Sequence, residues 1–364
     1  MNIVFDARWL GRTGIGRYAE ELLAQLQQLD QVNEYQVLLL PEHFATWKPV
    51  APNFHPVRTT SDVYTWQEQL LLPWQIWRLK PDLVHFTSFN LPIFYPGRFV
   101  ATIHDLTLVR FKNVRGGLLK RLIYEFKYWV MRGILRVVTA RAERIIAPCE
   151  FTKDDILRHY RIPPTHVTVT YESVGKVYDK PTPLKLPEKF IMYLGNTYPY
   201  KNIGRLIEAF AATKARHQDT KLVLAGNTPY FTDQLKLQAK KLGVERDVMF
   251  LGRISDGEAA TTYHQAQLFV FPSLYEGFGL MGLEAMTLGT PVLAARASCL
   301  PEIYGDAAAY CDPMNVHDIA KQIDFLLDHP ERREELRAAG RRQVKTYSWK
   351  KMAQETLAVY GDAL

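Results

Sequence analysis

Two carboxylates, Glu276 and Glu284, bracket a glycine-bearing turn in the segment FPSLYEGFGLMGLEAMTLGTPVLA, residues 271–294. The strand-like run QLFVF ends at Pro272, and a loop carrying Glu276, Gly277, Phe278 and Gly279 leads into a helical stretch from Leu280. Unpaired amides at a helix amino terminus, with the positive end of its dipole, suit an anion. Gly277 and Gly279 allow the backbone to approach closely. Carboxylates beside an anion site are repelled unless they serve another group. Set on either side of a diphosphate, Glu276 and Glu284 accept hydrogen bonds from sugar hydroxyls. Lys201, between the strand-like IMYLG and the helical NIGRLIEAF, supplies a cation able to neutralise a diphosphate leaving group. His104 follows FVATIH at the carboxyl edge of a strand, where open α/β sheets place ligands. The turn GRTGIGRY, residues 11–18, lies between a first strand and a first helix, where doubly wound domains bind phosphate. It departs from G-x-G-x-x-G, and no clear acidic residue ends the second strand-like run, so a nicotinamide site is disfavoured. Taken singly, these features also fit an exposed turn with a surface glutamate, a ligand-free turn and a structural histidine.

Holding such groups in place takes the carboxyl edges of parallel sheets. Apolar runs of strand length alternate with helical periodicity along the chain, which predicts parallel sheets crossed by helices. NIVFDARW, YQVLLL, DLVHFT, RFVATIHD, RIIAPC and HVTVTY form a first series, with helices at RYAEELLAQLQQL and TKDDILRHY. Thr152 or Asp154 is the expected cap of the second of these helices. KFIMYLGN, KLVLAGN, VMFLG, QLFVFPS, PVLAAR and AAYCD form a second series, with helices at NIGRLIEAFAATKA, TDQLKLQAKKLG, LMGLEAMTLG and VHDIAKQIDFLLD. At 364 residues the chain has the length of about two domains. An aperiodic, proline-bearing stretch divides it. The expected organisation is a domain over 1–174, a linker over 175–188, a second domain over 189–345, and a helix over 346–364 that returns to the first. Two α/β doubly wound domains on one linker face a cleft. No repeat indicates a solenoid.

These motifs resemble, in order and over almost the whole chain, a single family. The segment from Glu276 to Glu284 resembles the E-x7-E signature of retaining GT-B glycosyltransferases of family four (group 1). GRTGIGRY, TIHDL (102–106), IAPCEFTKDDI (146–156), YLGNTYPYKNIGRLIEAF (193–210), LVLAG (222–226), FLGRIS (250–255) and LPEIYGDAA (300–308) resemble it likewise. Among its members the pattern is most similar to mannosyltransferases of O-antigen and polysaccharide assembly. The resemblance implies a GT-B fold of two Rossmann-like domains. It implies transfer, with retention, of a hexosyl unit from a nucleoside-diphosphate sugar, GDP-mannose as first choice. The acceptor is a saccharide or a polyprenyl-diphosphate-linked saccharide.

Residue by residue, the resemblance places Glu284 at the ribose hydroxyls and Glu276 at the sugar hydroxyls. Lys201 and the amides of Phe278, Gly279 and Leu280, with Gly277, fall at the departing diphosphate. Gly14, Gly16 and Arg17 fall at the donor phosphate and acceptor, and His104 at the sugar, whereas Asp105 fixes a local turn. Where the family commonly has an arginine beside or shortly before the lysine, this chain has Tyr200 and Asn196. Arg253 is the candidate substitute, and a missing charge-assisted bond costs about 1.5–3 kcal/mol. Met281 stands where proline is common and Cys149 where serine is common, both read as packing variation. The D-x-D triplet that holds a metal in the other major glycosyltransferase architecture is absent. Basic groups and helix termini are therefore expected to carry the phosphate charge, without metal or cofactor. Two rivals, a non-catalytic sugar-nucleotide scaffold and a sugar-nucleotide epimerase, differ in releasing no diphosphate to an acceptor or in acting without one.

Composition bounds the setting. Hydrophobic residues make up 47% and charged residues 23%, which excludes a disordered or collagen-like chain. No apolar stretch approaches a membrane span, and no secretory signal opens the sequence. The three cysteines, Cys149, Cys299 and Cys311, have no metal-ligand or paired spacing, which fits a reducing cytoplasm. The net charge of +7 gathers over 115–144, where Arg115, Lys120, Arg121, Lys127, Arg132, Arg136, Arg141 and Arg144 face only Glu125 and Glu143. Interleaved aromatics make this an amphipathic helix. It either packs its apolar face inward or lies on the anionic cytoplasmic face of a membrane. No nucleic-acid-binding pattern accompanies it.

Overall fold

The computed structural model describes residues 1–364 except 113–117, 176–179 and 227, and the side chains of 118–120. Arg115 and residues 176–179 of the expected linker therefore lie outside the described residues, as does the Lys120 side chain. The chain forms two compact units, Met1–Glu172 with Ser348–Leu364, and Ser173–Tyr347.

In the first unit, the described residues form a seven-stranded sheet. Its strands are β1 (Asn2–Asp6), β2 (Glu34–Leu39), β3 (Phe54–Arg58), β4 (Leu83–Phe86), β5 (Phe99–Thr102), β6 (Arg144–Ala147) and β7 (Val167–Val169). The order is β3-β2-β1-β4-β5-β6-β7, and the pairings are parallel. Alternation along β1 shows why its apolar run is continuous. Ile3 and Phe5 join Leu22, Leu26, Met352 and Tyr360 on one face, while Val4 joins Leu72, Ile76, Leu135 and Val138 on the other. The helices Thr13–Leu29 and Trp349–Asp362 thus cover one face. The helices Trp66–Arg78, Leu118–Arg141 and Glu150–Tyr160 cover the opposite face.

Several elements differ from the sequence reading. β3 was not expected, and Pro56 within it is accommodated because β3 is an edge strand. The helix Trp66–Arg78 was also unforeseen, since Pro73 interrupts its pattern and its aromatics face outward. The helix Glu150–Tyr160 is capped by Cys149, whose Sγ accepts from the Thr152 amide at 3.4 Å, and not by Thr152 or Asp154. The thiol takes over the capping place of a serine, so its role exceeds packing. In the basic helix, Tyr128, Leu135 and Val138 are buried, whereas Leu122, Phe126 and Trp129 are exposed. Its aromatic face is therefore not wholly turned inward.

In the second unit, the described residues form a six-stranded parallel sheet, ordered β10-β9-β8-β11-β12-β13. The strands are β8 (Phe190–Leu194), β9 (Lys221–Ala225), β10 (Val248–Gly252), β11 (Leu268–Phe271), β12 (Val292–Ala295) and β13 (Ala308–Cys311). Strand order reverses between β1 and β4 in one sheet and between β8 and β11 in the other. At such switch points the loops leaving the strands splay apart and open a crevice.

A buried ionic cluster secures the first switch point. Arg8 is fully buried and bonds both Asp6 oxygens at 2.8 and 2.7 Å and Glu68 at 3.0 Å. Glu68 also accepts from Asn90 Nδ2 at 2.9 Å and from the Tyr64 amide at 2.9 Å. Arg8→Met leaves two buried carboxylates without their cation, and is expected to cost about 3–5 kcal/mol. Denaturant unfolding of variant and wild type measures this; a loss below about 1 kcal/mol would show that the carboxylates do not depend on Arg8.

Candidate active site

Because β8 and β11 are neighbours, the loops leaving them are one strand spacing apart, about 4.8 Å. Lys201 closes the first loop in the single turn Pro199–Lys201, and Glu276 lies in the second. Lys201 Nζ donates to both Glu276 carboxylate oxygens, at 2.7 and 2.8 Å. Their side chains are 4% and 10% exposed. The sequence reading gave these two residues separate partners, a diphosphate and a sugar. The structure pairs them, so that each neutralises the other. The Lys201 ammonium also lies 5.2 Å from the Tyr200 ring and 5.7 Å from that of Phe271. Tyr200 thus gives Lys201 an aromatic face where an arginine would have given a second cation.

Other loops fix this pair. The Glu276 amide donates to Ser298 Oγ at 3.1 Å, and Cys299 Sγ contacts the Glu276 carbonyl at 3.3 Å. Asn202, at φ 63°, donates from Nδ2 to the Pro272 and Pro313 carbonyls at 3.1 and 2.7 Å. It therefore ties the loop after β8 to those after β11 and β13. The Leu274 amide donates to the Tyr200 carbonyl at 2.8 Å.

The helix Leu280–Thr287 starts from Gly279, at φ 86°. A Cβ there would come within 2.6 Å of the Tyr304 hydroxyl and 2.7 Å of Leu300, so both conformation and space require glycine. Phe278 is buried and packs edge-on against Tyr347, with ring centroids 5.7 Å apart. Glu284 is buried in the second turn of the helix. Gly277 and Leu280 are half-buried at its mouth. Asn196 accepts from the Tyr193 hydroxyl through its carbonyl at 2.8 Å, in the loop that leads to Lys201. Arg253 is exposed after β10, two strand spacings or about 10 Å from β8. The cation at Glu276 is Lys201, not Arg253.

In the first unit, the helix begins at Thr13, so Gly14 and Gly16 lie in its opening turns and not in a loop before it. The Gly16 amide donates to the Arg12 carbonyl at 2.9 Å, starting the helical ladder early. A Cβ on Gly16 would lie 2.3 Å from the Trp9 carbonyl, whereas one on Gly14 would meet open space. Gly16 is therefore required by the approach of two chain segments. Arg17 is half-buried in the next turn.

His104 follows β5 and has both ring nitrogens engaged. Nδ1 lies 3.0 Å from Glu172 Oε1, and Nε2 lies 3.0 Å from the Thr87 carbonyl. Burial opposes its charge, but Glu172, the Thr87 carbonyl and Asp105 outweigh burial and raise its pKa above the ordinary imidazole value. The Tyr18 ring stands edge-on to it at 4.8 Å. Tyr18 Oη meets Thr102 Oγ1 at 3.1 Å, Thr102 meets His85 Nε2 at 2.9 Å, and His85 Nδ1 meets Tyr360 Oη at 2.7 Å. Burial pushes the His85 pKa down to about 3. Asp105 accepts from the Thr107 amide at 2.7 Å, the local turn expected of it.

The structure gathers Lys201, Glu276 and the glycine-flanked helix start in the second unit, and His104 with the helix bearing Gly14, Gly16 and Arg17 in the first. Sequence reasoning missed Asn202, Ser298, Cys299, Tyr18 and Glu172. Asn202 adjoins Lys201 at a helix start and was findable as a capping-type residue; the others meet their partners only through the fold.

Comparison with known proteins gives this geometry a family. The model for glycosyl transferases group 1 matches residues 176–343, and the model for Glycosyltransferase Family 4 matches 12–174. O-antigen chain mannosyltransferase B of Escherichia coli is 27% identical, the alignment covering 96% of each chain. The Anabaena HepE structure in complex with UDP and glucose superposes with a TM-score of 0.73 at 17% identity, covering 99% of each chain. WaaG, a glycosyltransferase involved in lipopolysaccharide biosynthesis, superposes with a TM-score of 0.72 at 18% identity, covering 98% of this chain and 99% of its own. With both family models falling one on each of two doubly wound sheets, the chain belongs to the group 1, family 4 glycosyltransferases and has their GT-B architecture.

Proposed function

We propose that this glycosyltransferase moves a hexosyl unit, mannosyl as first choice, from a nucleoside-diphosphate sugar to a saccharide or lipid-linked saccharide, with retention, in cell-surface polysaccharide assembly. The observation that carries the reading is the buried Lys201–Glu276 pair beside the amino end of the helix Leu280–Thr287. Support for the sugar comes from the mannosyltransferase of Escherichia coli, and for the donor class from the UDP complex of HepE. GDP-mannose is the donor assigned first.

In this mechanism a donor diphosphate takes over the Lys201 ammonium, and the amides of Phe278, Gly279 and Leu280 share its charge. Glu276, released from the lysine, accepts from sugar hydroxyls, and Glu284 accepts from the ribose. His104 serves the sugar, and Gly14, Gly16 and Arg17 mark the phosphate and acceptor side. Asn196, Tyr200 and Gly277 shape the approach to Lys201; Arg253 is assigned a supporting contact to the donor. The departing phosphate oxygen takes the acceptor proton on the same face, which accounts for retention. Lysine and amides carry the charge, so neither metal nor cofactor is assigned a step.

A separate observation favours contact with an anionic membrane. Among the described residues, no helix is long and apolar enough to cross one. The helices Trp66–Arg78 and Leu118–Arg141 bury residues in the same core cluster, so they lie on one side of the sheet. Outward they expose Trp66, Trp74, Trp77, Leu122, Phe126 and Trp129, with Arg78, Lys80, Arg121, Lys127 and Arg136 exposed beside them. Exposed aromatics bordered by cations match the interface of an anionic bilayer.

Three outcomes test these readings. Glu276→Gln keeps a hydrogen-bonding partner for Lys201 and is expected to fold, yet to lose transfer by about 10²-fold or more. Wild-type turnover in that variant would remove Glu276 from the mechanism; Glu276→Ala is a poorer probe because it strands a buried ammonium. Among nucleotide sugars, GDP-mannose should raise Tm most, and transfer from it should persist in EDTA. Donor binding without diphosphate release over a broad acceptor panel would favour a scaffold, and a strict divalent requirement would refute the charge assignment. Finally, the protein should sediment with phosphatidylserine-containing vesicles more than with phosphatidylcholine ones, and Phe126→Ser with Trp129→Ser should abolish the difference. Concentration-dependent self-association without vesicle binding would instead make this face a protein interface.

A further inference from the structure

The surroundings of His104 hold more than the assigned role requires. The Thr87 carbonyl can only accept a hydrogen bond, so Nε2, 3.0 Å away, carries a hydrogen. Nδ1 faces the Glu172 carboxyl group at 3.0 Å. An imidazolium satisfies both contacts with Glu172 ionised; a neutral ring satisfies them only if Glu172 holds the proton. The charges around the ring decide between these. Glu172 and Asp105 are acidic neighbours that favour the cation. From β4, His85 is held neutral by burial, and from the helix Thr13–Leu29 the Tyr18 phenol is buried with its pKa raised, so neither sets a charge against it at neutral pH.

We propose that Glu172 is a positioning residue that keeps His104 doubly protonated, so that the first unit's site carries a fixed positive charge instead of a free ring nitrogen. This deepens, and rests on, the sugar-transfer reading above. A ring whose two N–H groups are both committed internally cannot bond a sugar hydroxyl without giving up a partner. What it retains is charge in a fixed orientation, the kind of pre-set electrostatic stabilisation that accelerates departure of an anion. Glu172 is also the last residue of the first unit before the chain enters the second. The carboxylate that orients the ring therefore stands at the end of that segment.

Because the folded-state pKa of His104 is raised, its charge is present at lower pH and lost as pH rises through the raised value. The test pairs side-chain ¹⁵N NMR of His104 with the pH profile of kcat/KM. Wild type should show two protonated nitrogens at pH 7 and an alkaline fall in rate that follows their titration. In Glu172→Gln both should move to lower pH by about one pH unit or more, and Glu172→Asp should restore them in part. A neutral ring protonated only at Nε2 at pH 7, or a Glu172→Gln rate lowered equally at every pH, would overturn the proposal. The nitrogen titration needs no substrate, so it stands or falls independently of the sugar-transfer reading.

Discussion

A buried ammonium and a buried carboxylate destabilise a fold unless they meet, and Lys201 and Glu276 meet only because β8 lies beside β11. Their attraction in a poorly solvated site is strong, but so is the cost of removing both from water. Geometry decides the balance. Two short contacts from one ammonium, a pinned Glu276 backbone and the Asn202 clamp across three loops provide that geometry. A pair arranged this way is also poised for exchange. In the mechanism proposed above, an incoming dianion would compete for the lysine, and the carboxylate set free would have acceptors to offer hydroxyl groups. The contact that preserves the fold would then also link recognition of the diphosphate to recognition of the sugar.

Much of this was legible in the residues, for a physical reason. Strands buried on both faces have to be apolar throughout, so twelve of the strands in the two sheets stood out as apolar runs. Loop positions at their carboxyl ends followed, which located His104, Lys201 and Glu276. What stayed hidden depends on proximity between distant segments. Nothing in the spacing of residues 201 and 276 says that their strands are neighbours, because the sheet order is set by crossovers. Glu172 lies far along the chain from His104, and Ser298 and Cys299 reach Glu276 from a different strand. Prolines hid two further elements: Pro56 in β3 and Pro73 in the helix Trp66–Arg78 each break a pattern that packing restores.

Glycines carry meanings that residue type alone does not separate. In GRTGIGRY, Gly16 lets a helix pass the Trp9 carbonyl, whereas a Cβ on Gly14 would meet open space. At Gly279 the same residue type does meet both demands, a left-handed backbone and a crowded neighbour in Tyr304. The distinction is one of space around a missing Cβ, which composition cannot express. Cys149 carries a similar lesson: a thiol in a serine position still caps its helix.

The helix Trp349–Asp362 has a consequence for biosynthesis. It packs Met352 and Tyr360 into the core beneath β1, and Tyr360 closes a run of polar contacts through His85 and Thr102 to Tyr18. Residues 173–347 are thus spliced into the interior of the first unit's chain path. On the ribosome, the earlier-made portion must wait with part of one flank of its sheet, the part beyond the helix Thr13–Leu29, uncovered until the inserted unit has been translated.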